Sequence, residues 1–342
     1  MKQLLRLVKH FLLLMLLIPT CAQADEHKDE KEQLFVLFHG LCHNAASFQD
    51  LQRRLQKALP TATVLALSCV EGKGSLSFSI EEQAKMCFQE LMEKVEHAAQ
   101  KSIILIGHSQ GGMRAYAFLK QYGSQLNVKG LVSLATPWEG APGARVDEKM
   151  LSENLTDAVE ADFQQLSTHL GHPTDALKTR LVLEIQNNQM MCQYPGAKDL
   201  IIGSPFLSNV QQMLPQEPVA ILAIAGGQSD FGALLAPKGV SHSFEALNQL
   251  YAFFTTGNKR GVNASHDMWI PCASQLAQTI VKKRKKNFQR LCIKDAFHSA
   301  QVWGIIPVPK QKNILTHPQV FKAITQFAKK QFSLKRKPSR PE

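Results

Sequence analysis

Apolar and polar positions run along this chain in two alternating rhythms. Residues 33–38 form an apolar run closed by His39-Gly40, which predicts a buried strand. A helical pattern follows, with Phe48, Leu51, Leu55 and Leu59 on one face and Pro60 as its stop. Residues 63–67 are β-branched and apolar and predict a second strand. Ser79 and Glu82 stand at capping-box spacing ahead of a helix over 80–99, whose apolar face carries Ile80, Ala84, Cys87, Phe88, Leu91 and Val95. The runs at 102–106 and 128–134 predict two more strands with a helix between them. Repeated strand–helix units of this kind argue for a parallel sheet covered on both faces, because each crossover returns over the sheet.

The alternation breaks at about residue 141. Helical periodicity at 155–170 and 176–189 is embedded in polar sequence up to about 215. Strand-like runs resume at 219–225 and near 291–294, with a helix expected over 273–289 before the latter. A last helix over 318–332 places Val320, Ile324, Phe327 and Ala328 on one face, with Thr316 as its expected N-cap. The expected organisation is an α/β core in two halves, 25–140 and 216–334, interrupted by a mainly helical cap at 141–215. A second insertion at about 228–266 precedes Asp267.

Chemistry enters at Gly107-His108-Ser109-Gln110-Gly111, a G-x-S-x-G pentapeptide between the strand at 102–106 and the apolar-faced segment after it. This is the context of a nucleophile elbow, a strand-to-helix turn so tight that its serine is strained and its flanking positions must be glycine. A serine is a weak nucleophile alone and needs a base, an acid that orients the base, and donors for the developing oxyanion.

Composition adds a compartment. Lys2, Arg6 and Lys9, an apolar stretch at 11–18 and Ala22-Gln23-Ala24 have the order of a secretory signal peptide cut after Ala24. Cys21 would support a lipoprotein signal instead, but Pro19 and Thr20 are poor residues ahead of a lipidated cysteine. The expected location is therefore secreted or periplasmic. The formal charge of +11 falls to +8 without residues 1–24, which carry three bases and no acid. Basic residues cluster in Lys282-Lys283-Arg284-Lys285-Lys286 and in a tail over 335–342. A solvated surface explains them first, and attraction to an anionic membrane second. No aromatic interleaving or recognisable module accompanies them, so nucleic acid is not an expected partner. Six cysteines remain, Cys42, Cys69, Cys87, Cys192, Cys272 and Cys292, and an even count in an exported chain predicts at least one disulfide. Cys87, on an apolar helix face, reads as a buried thiol. No C-x-x-C or H-E-x-x-H spacing suggests a metal site.

Four motifs together resemble the α/β-hydrolases of the lipase and esterase type: Phe38-His39-Gly40-Leu41, Gly107 to Gly111, Leu134-Ala135-Thr136-Pro137-Trp138-Glu139-Gly140, and Asp267-Met268-Trp269-Ile270-Pro271. The likeness covers most of 33–140 and 216–332. A second, thinner likeness is to palmitoyl-protein thioesterases, through His39-Gly40 with Cys42 close behind and through residues 83–87. The resemblance implies Ser109 as nucleophile, the backbone N–H groups of Leu41 and Gln110 as the oxyanion hole, and no cofactor. It implies the chain order serine, acid, histidine. Asp267 fits the acid motif, with Asp230 near a strand end as its rival. His298 in Phe297-His298-Ser299 fits the base, with His317 as its rival, although Thr316-His317-Pro318 also reads as the start of a helix. His39, His43 and His108 flank the motifs as supporting or surface residues. By analogy with bacterial lipases that brace the acid loop, a Cys192–Cys272 bridge is expected.

The implied function is hydrolysis of carboxylic esters, most naturally of acyl lipids. The same residues would serve a palmitoyl-type thioesterase or a lipid acyltransferase, and an inactive binding module could keep the fold.

Overall fold

The computed structural model describes residues 32–142, 146–235, 243–256, 265–281 and 286–333. The signal peptide, the basic tail and four of the five residues at 282–286 therefore lie outside the described residues. The chain runs through β1 (Gln33–Phe38), α1 (Gln49–Ala58), β2 (Thr63–Ala66), α2 (Gly74–Ser77), α3 (Ile80–Lys94), β3 (Ser102–His108), α4 (Gln110–Tyr122) and β4 (Val128–Leu134). A helical stretch follows: α5 (Glu148–Ser152), α6 (Asp157–Leu170), α7 (Thr174–Met191), α8 (Pro195–Lys198) and α9 (Pro205–Met213). Then come β5 (Ala220–Gly226), α10 (Gly232–Leu235), α11 (Glu245–Thr256), α12 (Cys272–Gln275), β6 (Phe288–Ile293), the short strands β7 (Gln301–Val302) and β8 (Ile306–Pro307), and α13 (Pro318–Ser333).

Six strands form one parallel sheet in the order β2-β1-β3-β4-β5-β6. The period of two sorts its side chains. Leu34, Val36, Phe38, Ile103, Leu105 and Leu131 pack with α3, α4 and α9 on one face. Phe35, Leu37, Ile104, Ile106, Val132 and Leu134 pack with α1 and α13 on the other. Both faces are thus buried, which is why β1, β3 and β5 read as nearly unbroken apolar runs. The order reverses between β1 and β3, so the loops leaving these two strands separate at the sheet's carboxyl edge. That is where open α/β sheets place ligands. A third apolar cluster joins α6, α7 and α11 to Met268, Phe297 and Trp303. Phe163, Phe231 and Tyr251 gather around Trp303, whose indole N–H donates to the Tyr251 hydroxyl at 3.0 Å.

Three expectations need correction. The helix expected over 80–99 has the predicted Ser79–Glu82 capping box but ends at Lys94. Val95 is extended and His97 takes a left-handed conformation (φ 52°), and a 3-10 turn, Ala98–Gln100, leads into β3. Val95 and Ala98 stay buried, so the apolar spacing persists without the helix. The helix expected over 273–289 is one turn, α12, and β6 already begins at Phe288. Arg290 of β6 takes the carbonyls of Leu276, Ala277 and Val281, which a longer helix would use for itself. Thr316 does not cap α13. Its hydroxyl donates to the carbonyls of Lys310 and Asn313, while His317 Nδ1 accepts the Gln319 N–H at 3.2 Å.

Helix α13 is anchored by Phe327, whose ring lies where a side chain at Gly130 of β4 would stand, 2.7 Å from a would-be Cβ. Phe327→Ala should cost about 3–4 kcal/mol by leaving a void between helix and sheet. Urea unfolding measures it, and a loss below about 1 kcal/mol would mean the helix collapses onto the strand.

Candidate active site

Ser109 joins β3 to α4 at φ 54°, ψ −127°, a conformation side chains rarely adopt. Its own N–H donates to Leu134 O of the neighbouring strand at 2.8 Å. The turn closes only because Cβ atoms are missing around it. A Cβ at Gly107 would lie 2.3 Å from Gly111 O, one at Gly111 2.0 Å from Phe38 O, and one at Gly112 1.8 Å from the Thr136 hydroxyl.

From Ser109 a line of hydrogen bonds runs inward. Ser109 Oγ lies 3.1 Å from His298 Nε2, and His298 Nδ1 lies 2.6 Å from Asp267 Oδ2. The carboxylate facing Nδ1 requires the proton there, leaving Nε2 to accept from the serine hydroxyl. Asp267 is fully buried, and its Oδ1 accepts the N–H groups of Trp269 and Ile270 at 3.0 and 2.8 Å. Its carbonyl accepts the His298 N–H at 3.0 Å, so the two loops are tied by backbone as well as side chain. The His298 carbonyl in turn accepts from His108 Nε2 at 2.9 Å.

The rivals lie elsewhere in the bonding. Asp230 is exposed, and its Oδ1 accepts from Gly232 N–H and the Asn248 amide, a turn aspartate. His317 faces Asp295 at 3.3 Å and caps α13. Leu41 follows β1 and lines the cavity at Ser109, and Gln110 opens α4, where helical N–H groups lack intrahelical partners.

A buried polar network that the sequence motifs did not announce stands behind both positions. The Gln110 amide donates to Ser75 O and Gly196 O, each at 2.9 Å. Ser75 Oγ accepts the Cys42 N–H at 2.7 Å and so fixes the residue after Leu41, which is itself left-handed (φ 56°). Arg114, fully buried one turn along α4, donates to Gln110 Oε1 at 3.0 Å and to Gln83 Oε1 at 2.8 Å. A charge inside the apolar run 111–119 was its only signal.

A cavity of about 380 Å³ opens over Ser109 and His298. Pro137, Met191, Leu200, Trp269 and Ile270 make its wall largely apolar, while Glu184 and Asn188 of α7 add polar groups. Burial raises the Glu184 pKa. Of the flanking histidines, His39 and His108 are buried, and His43 reaches the cavity wall. Burial pushes His39 and His266 down to about 4, and His108 well below the ordinary imidazole range with help from the nearby His298 and His43.

The Cys192–Cys272 bridge is not formed. Cys192 ends α7 beside the cavity, whereas Cys272 stands at the end of β5 and donates to Gly226 O at 3.0 Å. All six cysteines at 42–292 are thiols in the structure.

The sheet order, the elbow and the loops have the α/β-hydrolase fold. The sequence model of the palmitoyl protein thioesterase family matches residues 35–195, just under half of the chain. No curated protein sequence matches it. Among solved structures it is similar to the mature Bacillus licheniformis lipase BlEst2, at 15% identity and TM-score 0.47 over 88% of this chain and 94% of that one. It is also similar to phospholipase PlaB from Legionella pneumophila, at 11% and 0.49 over 87% and 64%. A lipase-esterase related protein from Clostridium acetobutylicum gives 16% and 0.41 over 88% and 96%.

The buried neutral imidazoles make stability depend on pH. Each binds its proton less readily folded than unfolded, so stability is present above about pH 6.5 and is lost as pH falls below it, for His39 and His266 down to about 4. His39 and His266 should each withdraw about 1–2 kcal/mol between pH 7 and 5. Glu90 does not enter this window. Burial works against its carboxylate, but bonds from Lys94, Ser68 and Cys69 outweigh it and hold it at about 2. Melting curves from pH 7 to 5 should therefore show a falling Tm, and a flat profile would contradict the assignment.

Proposed function

We propose that this chain is a serine hydrolase of acyl lipid esters. The observation that carries the reading is the unbroken hydrogen-bonded line Asp267–His298–Ser109 at the floor of a largely apolar cavity. In it, Ser109 Oγ attacks the acyl carbonyl while its proton passes to His298 Nε2. Asp267 holds the imidazole by Nδ1–H and balances the imidazolium. The tetrahedral oxyanion is received by the N–H groups of Leu41 and Gln110, each worth several kcal/mol at the transition state. His298 then returns the proton to the leaving alcohol, and water attacks the acyl-enzyme by the same route. Ser75, Gln83 and Arg114 are positioning residues in this scheme, because they fix Cys42 and the Gln110 side chain beside the two donors.

A second reading, hydrolysis of acyl thioesters, is favoured by the family match over residues 35–195. The same steps apply with a thiolate leaving. Export through the segment at 1–24, and capture at anionic membranes by the basic residues around 282–286, belong to the same proposal. Each lysine or arginine near such a surface adds about 1 kcal/mol at low salt.

Ser109→Ala should lower kcat/KM on p-nitrophenyl octanoate by about 10⁴-fold or more and abolish fluorophosphonate labelling. Asp267→Asn and His298→Ala should fall by a comparable order, with Asp230→Asn and His317→Ala within about threefold of the parent. Severe effects at the latter pair would move the acid and base. Across matched esters kcat/KM should rise from acetyl to octanoyl. An acetyl optimum would remove the lipid reading, and a strong preference for the thioester over its oxygen analogue would select the second.

A further inference from the structure

The six cysteines at 42–292 have no part in the proposed chemistry, yet four of them stand in facing pairs. The Cys69 thiol meets Cys87 Sγ at 3.6 Å. The Cys272 and Cys292 sulfurs meet at the end of β5, the first 3.0 Å from Gly226 O and the second 3.1 Å from where a Cβ on Gly227 would stand. Neither pair is held together by its sulfurs. Glu90 accepts the N–H groups of Ser68 and Cys69 at 2.9–3.0 Å, and it sits on α3, the helix that carries Cys87. This locks the segment after β2 to that helix. Cys272 N–H donates to Ser265 O at 2.8 Å, and its thiol lies on Gly226 O at the end of β5. Cys292, on β6, is in register with Ala225, one residue earlier on β5. A Cβ on Gly227 would come within 3.1 Å of Cys292 Sγ, so the strand end is fitted closely around this sulfur.

We propose that the chain carries two disulfide sites, Cys69–Cys87 and Cys272–Cys292, and that the second clips the loop bearing Asp267 to β6. At the first site, closure needs the sulfurs to move from 3.6 Å to about 2.05 Å, a side-chain rotation on backbone already in place. At the second, the partners differ in a way that sets the order of events. Cys292 is exposed, and the neighbouring Cys272 thiol and the charge of Lys294 outweigh burial and bring its thiol down to about 7. Cys272 is buried. The Cys292 thiolate attacks one sulfur of a small-molecule disulfide such as oxidised glutathione and expels one glutathione thiolate. Cys272 gives its proton to solvent and attacks the Cys292 sulfur of the mixed disulfide, expelling the second. Two protein thiols are oxidised and one glutathione disulfide is reduced. Cys42, whose thiol lies 3.9 Å from Met191 Sδ, and Cys192 both line the cavity and stay as thiols.

The pairing differs from a Cys192–Cys272 brace in its mechanical consequence. It ties the Asp267 loop to the sheet and leaves α7 unattached to that loop. It does not depend on the chain being an esterase, and its test needs no substrate. The full-length chain is equilibrated with oxidised and reduced glutathione, its remaining thiols are alkylated, and its peptides are mapped without reduction. Linked peptides Cys69–Cys87 and Cys272–Cys292, with Cys42 and Cys192 alkylated, are expected. In oxidising buffer, Cys292→Ser and Cys69→Ser should each lower Tm by about 5 °C. Dithiothreitol should lower the parent's Tm at least as far and leave the Cys69→Ser, Cys292→Ser double variant unmoved. Complete alkylation of all four cysteines, or a bridge to Cys42 or Cys192, would overturn the proposal.

Discussion

The contact of α4 with the strands beside it is the constraint on which the site depends. At Gly107, Gly111 and Gly112 the backbone passes so close to β1, to itself and to Thr136 that any side chain would overlap its neighbour by an ångström or more. That approach pulls the chain through Ser109 in a conformation costing of the order of 1–3 kcal/mol, offset by the surrounding strands and the N–H bond to Leu134 O. The strain has a geometric return. It lifts the hydroxyl clear of the sheet edge and aims the first N–H groups of α4 at the same space. The order reversal between β1 and β3 brings Leu41 there from the other side.

The buried polar network extends the same constraint. Arg114 is a fully buried cation whose hydrogen-bond acceptors are two neutral amide oxygens, a costly arrangement unless something gains from its rigidity. What it immobilises is Gln110, and through Ser75 the backbone at Cys42. Both candidate oxyanion donors are therefore backed by one connected set of hydrogen bonds that includes Gly196, at the foot of the cavity's helical wall. Loosening any member would loosen both donors.

Much of this was legible in the residues. The apolar runs gave five of the six sheet strands nearly to the residue, because strands covered on both faces are mostly apolar. The Ser79–Glu82 spacing marked the start of α3. Asp267 and His298 were separated from Asp230 and His317 by local motif shape, and the geometry brings the former pair to Ser109. The failures share a cause. The end of α3, the shortness of α12 and the cap of α13 are decided by distant partners: an extended Val95, the Arg290 guanidinium and the His317 ring. The two-residue strands β7 and β8 are too short for any period to register. Cysteine pairing depends on which surfaces meet, which spacing does not encode.

In the proposed reaction the strained hydroxyl at position 109 forms a covalent acyl intermediate. Mixing the protein with p-nitrophenyl butyrate, quenching in acid within the first turnover and mapping the peptides by mass spectrometry tests it directly. An added butyryl group on the peptide containing Ser109, and gone after prolonged incubation, is the predicted result. Turnover accompanied by acylation of a different residue would contradict it.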